Sequence, residues 1–289
     1  MRLARPLFLY GGFAGFALGA AVARSEHVRI DIASYVAGQS LVTAFQLMVH
    51  FANDYFDRAP DALTVRTRVS GGSGALVDGS LRPQTALVAA LVCAAIGCLG
   101  VLHAALTGAT AVACLGTAIG VLAWSYSAPP MRFCARGLGE VDTVAVVAVL
   151  VPLLGFASFG AAIDPRAFAV TIPGAIAMFA MMLSVEIPDI AADAATAKRT
   201  LVVRWGTARA KTIIRWCASV LLFGFCALSI YEAHNTRISA LAAFVAAGVA
   251  AIVASRRSSV PHAATLTVAL YATTVTTVAT FYVVSGAAR

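Results

Sequence analysis

Two short runs of the chain gather side chains able to do chemistry. In "NDYFDRAPD", Asn53, Asp57 and Asp61 recur every four residues, and in "EIPDIAAD", Glu186, Asp189 and Asp193 stand at i, i+3 and i+7. Either spacing puts its members on one face of a helix. Proline marks an expected break in each run: Pro60 disrupts or ends the first helix and leaves Asp61 just beyond it, and Pro188 implies a kink or a new start. Carboxylates so spaced repel one another. Beside a low-dielectric membrane they need a cation or a proton. Grouped hard oxygens suit Mg2+, which binds few carboxylates and fills its shell with substrate phosphate oxygens. Bases follow each run: Arg66 and Arg68 after the first, and Lys198, Arg199 and Arg204 after the second. They would hold the remaining phosphate charge. The pattern predicts a metal–diphosphate clamp for a ligand with a charged head and an apolar tail. Two other readings stay open. One is a solvated acidic loop paired with its arginines. The other is a proton relay, which fits less well because no carboxylate falls in the middle of an apolar span.

The elements that must position these runs are read from charge and hydropathy. Of 289 residues, 60% are hydrophobic and 12% charged, with a mean hydropathy of +0.87. A soluble domain is about 25% charged, so lipid must cover much of this surface. Uncharged stretches long enough to span, or nearly so, lie between Arg5 and Arg24, Asp31 and Asp54, Asp142 and Asp164, Arg166 and Glu186, Arg215 and Glu232, and Arg237 and Arg256. Arg82 to Arg132 holds two, with a turn near Thr107 and Gly108, and Arg257 to Arg289 holds one more. Backbone polar groups must pair internally in lipid, which favours helices. The expectation is an all-α polytopic membrane protein, a single domain over residues 1–289 with nine transmembrane helices around a central cavity.

With the N-terminus inside, 16 of the 21 Lys and Arg fall on one face and five, Arg24, Arg29, Arg166, Arg237 and Arg289, on the other. Positive charge stays in the cytoplasm, so the N-terminus is expected there and the C-terminus outside. The net charge of +8 is mostly this asymmetry. No basic segment interleaved with aromatics points to nucleic acid. Arg2 and Arg5 ahead of "AAVARS" also resemble a signal peptide, but a first span is the simpler account. The six cysteines form no C-x-x-C and are read as small buried hydrophobes. His50 is read as a packing residue.

Three connections on the cytoplasmic side carry most of the polar residues: Asn53 to Pro83, Ala128 to Asp142, and Glu186 to Lys211. Tyr126 and Trp124, at the end of the fourth span, offer π faces to a cation or serve as interfacial belt residues. Tyr55 and Phe56 are read as belt residues. Glu140 and Asp142 either orient a second substrate and take its proton, or pair with Arg132 and Arg136. The run "VSGGSGALVDGS" is either a cover over the site or a plain flexible connection.

"NDYFDRAPD", "WSYSAPPMRFCARGLGE" and "EIPDIAADAATAKRTLVVRWG", in that order, resemble the UbiA superfamily of intramembrane aromatic prenyltransferases. "AKRTLVVRWG" and "YSAPPMRFCARGLGE" look most like its menaquinone-type (1,4-dihydroxy-2-naphthoate) branch. The chain departs from that branch at Val185 and Glu186, where asparagines are usual, at Ala197, where glycine is usual, and at Glu140, where aspartate is usual. The departures bear on the acceptor more than on the donor. The resemblance implies that Asn53, Asp57, Asp61, Asp189 and Asp193 surround Mg2+ and the diphosphate of an isoprenyl donor, with Arg66, Arg68, Lys198 and Arg199 on the phosphates. It further implies transfer of the prenyl group to a small aromatic, quinone-precursor-like acceptor, at an inner-membrane site facing the cytoplasm. Asp57, Asp189, Tyr126 and Glu140 are the expected catalytic residues. A terpene cyclase on the same scaffold and a non-enzymatic transporter remain as alternatives.

Overall fold

The computed structural model describes residues 3, 5–64, 66, 71–231, 242 and 260–287. Arg68 and, apart from Ala242, the span expected between Arg237 and Arg256 lie outside these residues. Among the described residues every regular element is helical. α1 is Pro6–Ser25, α2 Ile32–Phe56, α3 Arg58–Leu63, α4 Pro83–Leu106 and α5 Thr110–Ser127. α6 is the continuous stretch Gly139–Ala157, wound as a π-helix over Val144–Leu150. α7 is Pro165–Glu186, α8 Ile190–Ala195, α9 Leu201–Tyr231 and α10 Val260–Ala287. Single 3-10 turns occupy Phe133–Ala135 and Ile187–Asp189.

Among the described residues seven stretches are long and apolar enough to cross a membrane: α2, α4, α5, α6, α7 together with α8, α9, and α10. α1 stands beside them with 20 residues. The protein is an integral membrane protein. Large apolar side chains such as Leu99 on α4 and Phe223 and Ile230 on α9 are exposed on the outside of the bundle, where lipid takes the place of a core.

Helix starts are marked by capping carboxylates. Asp31 accepts from the Ser34 N–H at 2.8 Å, and that bond holds its carboxyl below the usual value. Asp164 accepts from the N–H groups of Arg166 and Ala167, both at 2.9 Å, ahead of Pro165 at the first helical position. α2 packs on α4 and α5, α6 stands among α1, α5 and α7, α9 leans on α7, and α10 closes between α1 and α7. The α1–α6 contact is a backbone contact. A Cβ on Gly19 would stand 2.0 Å from the Pro152 carbonyl oxygen, and one on Gly155 would stand 2.3 Å from that of Phe16. Only glycine allows helices this close, the usual device of helix association in lipid.

The turn expected at Thr107 and Gly108 separates α4 from α5, with Gly108 at φ 79°. The polar connections are shorter and more helical than expected. α6 begins at Gly139, so Glu140 and Asp142 belong to its first turn, where the helix dipole favours carboxylates. α8 and the start of α9 absorb most of the segment from Glu186 to Lys211. Charged residues end the lipid-embedded length of a helix but do not end the helix itself. The first motif breaks at Asp57 (φ −97°, ψ 11°) rather than at Pro60, which sits in the first turn of α3, where a missing N–H is harmless. Of the cysteines, Cys134 is buried, but Cys98, Cys114 and Cys226 face outward. They are apolar residues on a lipid-facing surface rather than in a core.

Candidate active site

The two acidic runs are brought together at one end of the bundle. α3 packs against α8, and the segments that follow them converge there. Despite the break at Asp57, the first run keeps its line. The Asp57 N–H donates to the Asn53 carbonyl at 2.8 Å, and the Asp61 N–H donates to that of Asp57 at 3.0 Å. Lys198 joins the runs: its Nζ donates to Asp57 Oδ2 at 2.9 Å and stands 3.5 Å from Asp193 Oδ1. Both carboxylates are nearly inaccessible, at 2% and 3% exposure. Burial by itself would lower the Lys198 ammonium, but Asp57 and Asp193 outweigh it and raise Lys198 well above the usual lysine value. The ammonium is therefore a permanent charge between the motifs.

Asn53 bridges Arg5, Asp57 and Ser127. Its Nδ2 donates to Asp57 Oδ2 at 2.9 Å and to Ser127 Oγ at 3.1 Å, while its Oδ1 accepts from Arg5 Nη2 at 3.1 Å. Asp54, next in sequence, pairs with Arg5 and accepts from the Ser73 N–H at 3.2 Å. Its Oδ2 is buried without a hydrogen-bond partner. Asp61 lies under the glycine-rich loop: a Cβ on Gly72, at φ 64°, would stand 2.0 Å from Asp61 Oδ2. Burial pushes the Asp61 carboxyl up to about 7, with Arg5 opposing and Asp57 and Asp54 adding to the rise. Arg66 is exposed and lies along the same loop, where a Cβ on Gly74 would meet its Nη1 at 2.5 Å.

The segment before α6 supplies a second wall. The Cys134 Sγ lies 3.8 Å from both oxygens of Asp57. Burial first, then the charge of Asp57, pushes its thiol up to about 12, so it remains a neutral thiol. Tyr126 stands within electrostatic reach of Cys134, Lys198, Glu186 and Asp57. Trp124 instead meets Phe56 edge-on, with ring centroids 6.3 Å apart. Tyr55 packs with Leu3 and Ala75, and Arg58 covers its ring at 5.0 Å, which accords with a structural role. Glu140 is fully buried; its Oε1 accepts from the Leu201 N–H and its carboxyl stands against Glu186. It is thus tied to the start of α9 rather than to Arg132 or Arg136. Asp189 sits in the turn between α7 and α8. The Arg199 side chain is exposed, while its N–H donates to the Ala135 carbonyl at 3.0 Å. Arg204 ties the same segments through the carbonyls of Arg199 and Arg136, at 3.0 and 2.5 Å.

Sequence reasoning missed Arg5, Asp54, Ser127 and Cys134. Asp54 was legible as the neighbour of Asn53. Arg5 lies 48 residues from Asn53, and no local pattern links the two. Among the described residues no three His, Cys, Asp or Glu side chains converge tightly enough to hold an ion alone. The donors are nevertheless hard oxygens, and a buried Asp54 oxygen is unsatisfied. That set fits Mg2+, which takes much of its shell from substrate phosphates.

The bundle has close counterparts in fold. A UbiA homolog from Archaeoglobus fulgidus bound to GPP and Mg2+ superposes with a TM-score of 0.66 at 14% identity, over 99% of this chain and 97% of that one. An apo UbiA homolog from Aeropyrum pernix K1 gives 0.66 at 15% identity, over 94% and 97%. In sequence, 1,4-dihydroxy-2-naphthoate octaprenyltransferase of Bacillus subtilis (strain 168) is 24% identical over 213 residues, covering 74% of this chain and 68% of the relative. The profile of the UbiA prenyltransferase family matches residues 12–273, nearly the whole bundle, and the chain belongs to that family.

Proposed function

We propose that this prenyltransferase moves an isoprenyl group from a prenyl diphosphate to a small aromatic, quinone-precursor-like acceptor within the membrane, and that it depends on Mg2+. The observation that carries the reading is Lys198, which joins Asp57 of the first motif to Asp193 of the second. An anion placed there meets both motifs at once. The relative's activity on 1,4-dihydroxy-2-naphthoate and the GPP and Mg2+ in the homolog point the same way.

In this reading Asp57, Asp61, Asp189 and Asp193 hold Mg2+, with Asn53 beside them. When bound, the ion offsets charge on the departing diphosphate. Lys198, Arg66, Arg68 and Arg199 bind the phosphate oxygens and stabilise the same charge. As the allylic C–O bond breaks, Tyr126 presents its ring to the prenyl cation, and the apolar helices keep water away. The acceptor ring then forms the new C–C bond, and Glu140 takes or relays the proton it loses. The site faces the cytoplasm of the inner membrane, and the bundle has nine helices with the N-terminus inside.

The test is a panel of prenyl diphosphates and quinone-precursor acceptors, with product mass measured with and without EDTA. A prenylated aromatic product that requires Mg2+ is expected. A cyclised hydrocarbon from the donor alone would replace the reading with a terpene cyclase. Absence of Mg2+-dependent diphosphate release would leave a non-enzymatic membrane protein.

A further inference from the structure

We propose that Arg5 is a positioning residue for the donor end of the site, acting through Asn53. The inference rests on the reading of that end as a diphosphate site.

An amide has two ends that differ in charge, and its partners decide which way it points. Asn53 has a guanidinium at one end and a carboxylate at the other. Arg5 Nη2 donates to its Oδ1 at 3.1 Å, and its Nδ2 donates to Asp57 Oδ2 at 2.9 Å. A flipped amide would set N–H groups against the cation and an oxygen against the anion. Arg5 therefore fixes the orientation in which Asn53 supports Asp57. The same Oδ1 is the one atom of Asn53 able to ligate a cation, and Arg5 engages it.

Arg5 is itself held in place. It pairs with Asp54, which is 3% exposed and also accepts from the Ser73 N–H of the glycine-rich loop at 3.2 Å. Leu3, two residues earlier, is buried with Ala75 of that loop and Ala86 of α4. The Arg5 backbone sits at φ 43°, ψ 68°, a region that non-glycine residues seldom occupy without tertiary support. Arg5 Nε and Asp54 Oδ2 are both buried without a hydrogen-bond partner, so further bonding capacity is present at the same point. Asp54 thereby anchors both the segment before α1 and the loop that covers Asp61.

The test measures donor binding calorimetrically without acceptor, alongside kcat and KM, for R5A, R5K, D54N, N53A and R5A/N53A. R5A and D54N are expected to raise the donor Kd and KM by about tenfold, with the acceptor KM within about twofold of wild type. R5K should recover part of the loss. On the N53A background, adding R5A should change the donor Kd by less than about twofold, because the residue through which Arg5 acts is gone. A full additional tenfold loss in R5A/N53A would overturn the proposal. So would an unchanged donor Kd in R5A, or folded R5K and D54N proteins that bind donor as wild type does if R5A fails to fold. Failure of the wild-type protein to bind any prenyl diphosphate would instead refute the donor site on which the inference stands.

Discussion

Lys198 sets the electrostatics between the motifs, because two buried carboxylates, Asp57 and Asp193, are balanced by one ammonium. Replacing it by alanine leaves those carboxylates uncompensated and removes the phosphate contact proposed for it. Charged hydrogen bonds of this kind contribute about 2–3 kcal/mol, so K198A should lower kcat/KM for the donor by roughly 30- to 150-fold. Steady-state kinetics at saturating acceptor measure it, and a loss below threefold would remove Lys198 from the donor site. Asp61 gives a pH signature. Burial lifts its carboxyl to about 7, above the unfolded value of about 4. Between these values the folded state holds more proton than the unfolded one, so Asp61 makes stability fall as pH rises from about 4 to about 7. D61N removes that loss. In EDTA it should raise the Tm relative to wild type at pH 8 and leave it nearly unchanged at pH 4. An equal difference at both pH values would show that Asp61 does not titrate between them.

Among the elements, the connection between α8 and α9 carries visible strain. Ala197 lies at φ 57°, where an L side chain costs about 1–2 kcal/mol. Glycine accepts that conformation but gives back part of the gain as unfolded-state entropy. A197G should stabilise the protein by about 0.5–1 kcal/mol, a rise of about 2 °C in Tm, read by thermal unfolding in detergent. A fall in Tm would mean that the methyl group packs usefully. The expected glycine at this position in the menaquinone-type branch was legible in the sequence, and its conformational reason is legible only in the fold. Much of the helix layout was legible in the same way. The charge gaps located α1, α2, α7 and α10, and the long gap from Arg82 to Arg132 correctly resolved into α4 and α5. The helical character of the polar segments was not legible. Glu140 looks like a loop residue because it is charged, yet it is buried and bonded to the Leu201 N–H, a partner 61 residues away that no periodicity can indicate. For the same reason the acids of the site were found and its N-terminal arginine was not.

At the scale of the whole molecule, the direction of each helix determines where the ends lie. The first and second motifs, Cys134 and the start of α9 share one end of the bundle, because Lys198 reaches Asp57, Cys134 lies beside Asp57, and Leu201 bonds Glu140. Arg5, just before α1, is at that end too. α10 runs parallel to α1: Tyr271 lies near Gly11 at the site end of α1, and Tyr282 lies within electrostatic reach of Glu26 at its far end. α9 leaves the site end at Leu201, kinks at Gly206 (φ 79°, ψ 157°) and continues to Tyr231. The uncharged stretch from Arg237 to Arg256, which apart from Ala242 lies outside the described residues, is about the length a span requires. We propose that this stretch is a further crossing, which would bring the total to nine and put the C-terminus opposite the site. With 16 of 21 basic residues assigned to the site side, the positive-inside rule supports the proposal that the site and the N-terminus face the cytoplasm. A C-terminal alkaline phosphatase fusion should therefore be active in a bacterial host, and a C-terminal green fluorescent protein fusion dark. Fusions placed after residue 200 should show the opposite pattern. A fluorescent C-terminal fusion would remove either the ninth crossing or the assigned orientation. The fusion after residue 200 separates these outcomes, because it remains fluorescent only if the orientation holds.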